Sequence, residues 1–168
     1  DISKNYDKAP VVENNYDEDQ IKKVLELLGK HTIDDEINCN GCGYDNCRNL
    51  KGSPVCGSNV TNMSETYRNC HNLTGSPVCG NNVTTMYGTY YDCSNLTGSP
   101  ICGPKVTSMG STYNNCRNLT GSPVCGNNVI NMEDTYSNCP NLSSNGYFYS
   151  DKVANVCNCF ANRNTNKI

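Results

Sequence analysis

The sequence predicts a repeat solenoid, in which short coils stack along one axis and each buries its apolar side only against its neighbours. Three observations predict it. The stretch Gly75–Thr97 reads GSPVCGNNVTTMYGTYYDCSNLT, and near-copies flank it: GSPVCGSNVTNMSETYRNCHNLT at Gly52–Thr74 and GSPICGPKVTSMGSTYNNCRNLT at Gly98–Thr120. A further copy opens at Gly121 and decays after Leu142. The cysteines follow the same step: Cys47, Cys70, Cys93, Cys116 and Cys139 are each 23 residues apart, and Cys56, Cys79, Cys102 and Cys125 form a second series. Leucine and tyrosine do likewise, at Leu50, Leu73, Leu96, Leu119 and Leu142 and at Tyr67, Tyr90, Tyr113 and Tyr136. Series of this kind read as core columns running along the stack, one side chain per coil.

Composition narrows the function classes. The chain has 168 residues and a net charge of −3 with both signs scattered, so no basic stripe points to nucleic acid or an anionic membrane. No apolar run approaches the length of a membrane span. The opening DISKNYDKAP lacks the basic-then-apolar order of a signal peptide. With no Trp, two Phe and eleven Tyr, the core must come from Leu, Val, Met, Cys and Tyr. Thirteen cysteines would ordinarily indicate a secreted disulfide scaffold. Their columnar order argues for packing instead, because buried Cys acts as a small hydrophobe and parallel Cβ vectors suit a bridge poorly. The Cys47-to-Cys139 column is expected to be reduced. For the second column, pairing such as Cys56 with Cys70 stays open.

Four segments follow. Residues 1–16 are polar, with Pro10, and read as an arm or linker. Residues 17–46 hold a helix and a Cys-containing link. Asp17 caps with Gln20 three residues on, Ile21, Val24, Leu25 and Leu28 share one face, and Gly29 stops the helix, giving a span from Glu18 to Leu28. Its expected role is a lid over the end of the stack, with docking or oligomerisation as the alternative. Cys39 and Cys42, followed by Cys47, raise zinc or redox chemistry. A fourth ligand would have to be His31, His71 or another thiol, and there is no second C-x-x-C. A disulfide or two packed thiols is the expectation, with no metal and no cofactor.

Residues 47–143 are the repeats. Leu96, Ser99 and Ile101 carry the L-x-x-L-x-L spacing of a leucine-rich-repeat strand, shortened by Pro100. Gly103-Pro104-Lys105 is a turn, and Val106, Met109, Tyr113 and Cys116 suit a short helical or 3₁₀ segment. Asn49, Asn72, Asn95, Asn118 and Asn141, and Asn46, Asn69, Asp92, Asn115 and Asn138, are corner residues expected to satisfy unpaired backbone groups. Residues 144–168 are a capping coil, with Val153, Val156 and Phe160 at the old spacing, and a polar tail. The sequence leaves the redox state of Cys157 and Cys159 open.

The segment NVTNMSETYRNC at Asn59–Cys70 resembles the N-V-T-x-M-x-x-M-F-x-x-C segment of the BspA-like leucine-rich repeats of bacterial surface proteins, and CSNLT at Cys93–Thr97 resembles their C-S-S-L-T. The resemblance spans Cys47 to Phe160. It departs where Tyr67, Tyr90, Tyr113 and Tyr136 stand in place of Phe, and where G-S-P-V-C-G replaces a more aliphatic strand. The resemblance implies a leucine-rich-repeat-like solenoid with short parallel strands on one side and turn or short-helix segments on the other, and roles in adhesion or display. Similar repeats occur in phage tail and host-recognition proteins.

The functional expectation is a non-enzymatic recognition or adhesion module on a bacterial surface or phage particle. A structural spacer or decoration protein of a larger assembly, joined through the arm and helix, is the alternative. Among positions that vary between coils, Arg68, Tyr87, Tyr91 and Arg117 are the candidate binding residues, since Tyr and Arg dominate binding hot spots. The partner is a protein or a cell-surface glycan. An enzyme lacks its inventory: the two His are isolated, and no nucleophile–base or paired-carboxylate set recurs. Thr74, Thr97 and Thr120 raise ice binding, but one threonine column is too narrow to favour it. Seven N-x-S/T sequons, four of them at tight corners, point away from a glycosylating secretory pathway.

Overall fold

In a computed structural model of the chain, residues 44–143 and 150–162 are described. The arm at 1–16, the capping helix expected within 17–46, and Cys39 and Cys42 lie outside them.

The described residues form a pile of turn-rich coils. Each coil lies on the next at a step of 23 residues, lengthening to 24 at the last, as the parallel bridges Asn62–Thr85, Thr85–Ser108, Ser108–Asn131 and Asn131–Asn155 show. Backbone bonds tie neighbouring coils at regular intervals. The N–H groups of Met63, Glu65, Tyr67 and Asn69 donate to the carbonyls of Thr85, Tyr87, Thr89 and Tyr91 at 2.8–3.0 Å, and the pattern recurs one coil on. On the other side the bonds run backwards, from Thr74 N–H to Gly52 and from Thr84 N–H to Thr61.

The leucine-rich-repeat fold class is corrected by these contacts. Among the described residues there is no helix and no run of strand, only isolated bridges. The strand expected at Leu96–Ile101 fails for a reason visible in its own residues. Pro100 has no N–H, and the Ile101 N–H and C=O are both taken by the Tyr113 hydroxyl, at 3.1 and 2.8 Å, so neither is left for a neighbouring coil. The helical segment fails because left-handed residues interrupt it: Ser111 has φ 54° and Asn115 has φ 63°. Between such residues the chain makes successive i→i+3 turns, such as Thr112 N–H to Met109 and Cys116 N–H to Tyr113, both 3.0 Å.

Five apolar columns fill the interior. Val60, Val83, Val106 and Val129 make one, and Met63, Met86, Met109 and Met132 another; all are at most 2 % exposed. Cys47 to Cys139 and Leu50 to Leu142 are at most 3 % exposed throughout their columns. The rings of Tyr44, Tyr67, Tyr90, Tyr113, Tyr136 and Phe160 stack in sequence with centroids 5.4–5.6 Å apart. A buried threonine column satisfies its own hydroxyls: Thr112 Oγ1 donates to the Met86 carbonyl in the coil before at 2.7 Å, and Thr135 Oγ1 to Met109 at 2.8 Å. One glycine column is fixed by conformation and space together. Gly98 has φ +81°, and a Cβ there would come within 3.0 Å of Ser76 Cβ and run into its hydroxyl.

Candidate functional site

The four candidate binding residues sit on the turn side of the stack, and the structure brings three of them into one neighbourhood. Arg68 and Tyr91 occupy the same position in successive coils. The Arg68 guanidinium carbon lies 5.4 Å from the centre of the Tyr91 ring, a cation–π arrangement. Its Nη1 also donates to Glu65 Oε1 at 2.9 Å, three residues back in the same coil. Glu65 is thus part of the patch, and it has φ 55° in a column otherwise held by Gly, Ser, Asp and Asn. Its i,i+3 spacing to Arg68 is visible in the sequence; the aromatic partner one coil away is visible only once the coils are stacked.

Tyr87 is 48 % exposed, one of the few large apolar side chains that face solvent. Its ring lies close over Gly110 in the next coil, where a Cβ would stand 3.1 Å from Tyr87 Cδ2. The small residue beneath the ring therefore sets its resting place. Arg117 is exposed and lies two coils beyond His71 in the same column; its carbonyl accepts from Asn141 Nδ2 at 2.7 Å. His71 Nε2 meets Asp92 Oδ2 at 2.9 Å, a second side-chain link between coils near this patch.

The thiols are placed for packing. Among the described residues all eleven cysteines are unbridged. In the inner column the thiols from Cys70 onward donate to a tyrosine carbonyl of the preceding coil: Cys70 to Tyr44 at 2.9 Å, Cys93 to Tyr67 and Cys116 to Tyr90 at 3.0 Å, and Cys139 to Tyr113 at 2.9 Å. Loss of hydration pushes the Cys70, Cys93 and Cys116 thiols far above their ordinary range. In the second column burial pushes Cys79 up to about 12 and Cys102 up to about 11, despite their half-buried positions. Thiols this reluctant to ionise are poor nucleophiles. No group of three or more metal-ligating side chains is assembled among the described residues, and no helix among them is long and apolar enough to cross a membrane.

A family model, described as Kazal-type serine protease inhibitor domain, matches residues 38–69 and 65–92. Together these cover less than half of the 168-residue chain, and the two matches share residues 65–69. No curated protein and no solved structure matches the chain significantly. The match corrects the expected kinship with BspA-like repeats, and with it the leucine-rich-repeat label. It likewise overturns the expectation of an adhesion module on a bacterial surface or phage particle, and of a spacer or decoration protein in its place. The matched family consists of inhibitors, which are not themselves enzymes and whose partners are proteins. Domains of that family are small and disulfide-rich, whereas Cys47, Cys56, Cys70 and Cys79, all within the matched residues, are unbridged in the stack.

Proposed function

We propose that the chain is an extracellular, non-enzymatic protein that binds a serine protease and inhibits it. The observation that carries this reading is the match to a Kazal-type inhibitor domain over residues 38–69 and 65–92. Arg68, Tyr87 and Tyr91 lie within the second matched stretch and on the turn side of the stack, with Arg68 against Tyr91. Primary pockets of serine proteases select basic or large apolar side chains. Tyr87, half exposed and seated over Gly110, is the side chain of this patch best placed to enter an apolar pocket. Arg68 is already committed to Glu65 and Tyr91, so it acts as support for the patch. On this reading the binding surface is presented by stacked coils whose described cysteines are unbridged, not by a bridged knot.

The test titrates the full chain against trypsin-like, chymotrypsin-like and elastase-like proteases, following residual activity and integrity of the chain. The expected result is inhibition of a chymotrypsin-like enzyme, with the chain left intact. Tyr87→Ala should weaken that inhibition about 30-fold, the equivalent of a hot-spot loss of about 2 kcal/mol. Absence of inhibition across all three classes, or rapid digestion of the chain as a substrate, would overturn the reading and leave the match as a likeness of local sequence alone.

A further inference from the structure

We propose that the thiol columns make this fold redox-gated: the coil stack assembles only from the reduced chain, and a disulfide between two cysteines of the inner column is incompatible with it. The argument is geometric. Cys70, Cys93, Cys116 and Cys139 occupy equivalent places in successive coils, and each Sγ is aimed at a tyrosine carbonyl of the coil before, 2.9–3.0 Å away. Equivalent placement makes their Cβ vectors parallel, whereas a disulfide needs a Cβ–S–S–Cβ dihedral near 90° with the sulfurs about 2.05 Å apart. To reach a neighbour, a sulfur would leave its carbonyl and rotate into a column of side chains that are at most 2 % exposed. Close-packed interiors do not absorb such a move.

Cys56 and Cys70 are not paired across the columns either. Cys56 adjoins Val55, whose N–H and C=O both bond the Tyr67 hydroxyl, at 3.2 and 2.9 Å. Cys70 lies at the other end of that tyrosine, where its N–H meets the Tyr67 carbonyl at 3.1 Å. The two cysteines thus leave the backbone at opposite ends of Tyr67, and the Cys70 sulfur is aimed at the Tyr44 carbonyl of the coil before. The outer thiols are confined too: a Cβ on Gly80 would stand 2.9 Å from Cys56 Sγ, and one on Gly103 2.7 Å from Cys79 Sγ, so each sulfur rests on the next coil's glycine.

Unfolding removes every one of these constraints. Exposed thiols then react with a disulfide oxidant such as oxidised glutathione. One protein thiolate attacks the oxidant and releases one glutathione; a second protein thiolate displaces the other, forming the protein disulfide. Two electrons and two protons pass from two cysteines to two glutathione thiols. The bridged chain cannot re-form the columns, so oxidation during an unfolding event is a one-way exit until a reductant restores the thiols.

The experiment uses the full chain in three arms, read by circular dichroism and by mass-spectrometric mapping of bridges. Native protein held with oxidised glutathione should keep its spectrum and show no bridge among Cys47, Cys70, Cys93, Cys116 and Cys139. Protein unfolded in urea with oxidised glutathione and then diluted should fail to regain the native spectrum, and should regain it after reductant is added. Protein unfolded in urea with a phosphine reductant and then diluted should recover directly. Bridges among the five inner cysteines in protein of native spectrum would overturn the proposal, as would recovery of that spectrum by the oxidised chain without reductant. The native arm needs no refolding step, so bridges found there overturn the proposal whatever the refolding arms show. Protease inhibition is scored separately, so loss of either reading leaves the other standing.

Discussion

The Tyr90 hydroxyl donates to the Val78 carbonyl at 2.7 Å and accepts from the Val78 N–H at 3.0 Å, while its ring stacks between those of Tyr67 and Tyr113. One side chain thus fills the core and pairs two backbone groups that the missing strand leaves over. Phenylalanine would keep the stacking and lose both bonds. Tyr90→Phe should therefore cost about 1–3 kcal/mol, the penalty for stranding buried polar groups, measured as a drop in the urea midpoint. Tyr91→Phe, at a half-buried surface position, should stay within about 0.5 kcal/mol of the parent. The sequence shows that tyrosine stands at these four positions, but gives no sign of what the hydroxyls bond. Their acceptors lie 12 residues back in the same coil, a distance no local pattern encodes.

At the scale of the coil, corners are set by left-handed residues. Asn46, Asn69, Asp92, Asn115, Asn138 and Asn162 all have φ between 56° and 63°, and Asn and Asp are the non-glycine residues that tolerate this region best. From the sequence, this series is expected to satisfy unpaired backbone groups. The conformation is the stronger reason for these residue types, although Asn69 Nδ2 also reaches Asn46 Oδ1 at 2.8 Å. The series just before the leucines does serve backbone acceptors, with Asn72 Nδ2 on the Arg48 carbonyl at 2.8 Å. The two series look alike in sequence, and only their dihedral angles separate them. Asn115→Ala should cost about 1–2 kcal/mol for placing an ordinary residue in the left-handed region, whereas Asn115→Gly should be nearly neutral. Urea unfolding of the pair checks both, and equal losses would point to the side-chain amide instead.

At the scale of the whole molecule, the 23-residue step is written in the letters, but the kind of coil it builds is not. Spacing such as L-x-x-L-x-L places Leu96 inward, but it misplaces Ser99, which is exposed, and passes over Pro100, which is buried; it is silent on whether the backbone between them pairs with its neighbour or with a tyrosine. The candidate patch is legible in the same limited way: the variable positions can be listed, but the Arg68–Tyr91 contact needs the stacking distance. Alkaline pH probes the assembled columns together. Burial raises the folded values of Cys79, to about 12, and Cys102, to about 11, above the ordinary 9.0. Above that ordinary value the unfolded chain releases thiol protons that the folded chain retains, so it binds fewer protons and stability falls as pH rises. The contribution is whole below about pH 9 and drains away as pH climbs through 11 and 12. The urea midpoint should be level from about pH 7 to 8.5 and decline above 9. A midpoint that rises over that upper range would contradict the burial of these thiols.

The step from Tyr136 to Phe160 is 24 residues, one more than between the tyrosines before it, yet the rings still stack 5.5 Å apart. The Ser143 N–H still meets the Gly121 carbonyl at 2.8 Å, and the Val153 N–H meets the Ser150 carbonyl at 3.0 Å as Val129 meets Gly126, so the extra residue falls between Ser143 and Ser150. The columns on either side keep their register all the same. A duplication or loss of one whole coil preserves every column, whereas an added residue between the cysteine and the leucine would slide one column against the rest. Length variation among descendants of such a chain should therefore come in whole coils, or fall between Ser143 and Ser150.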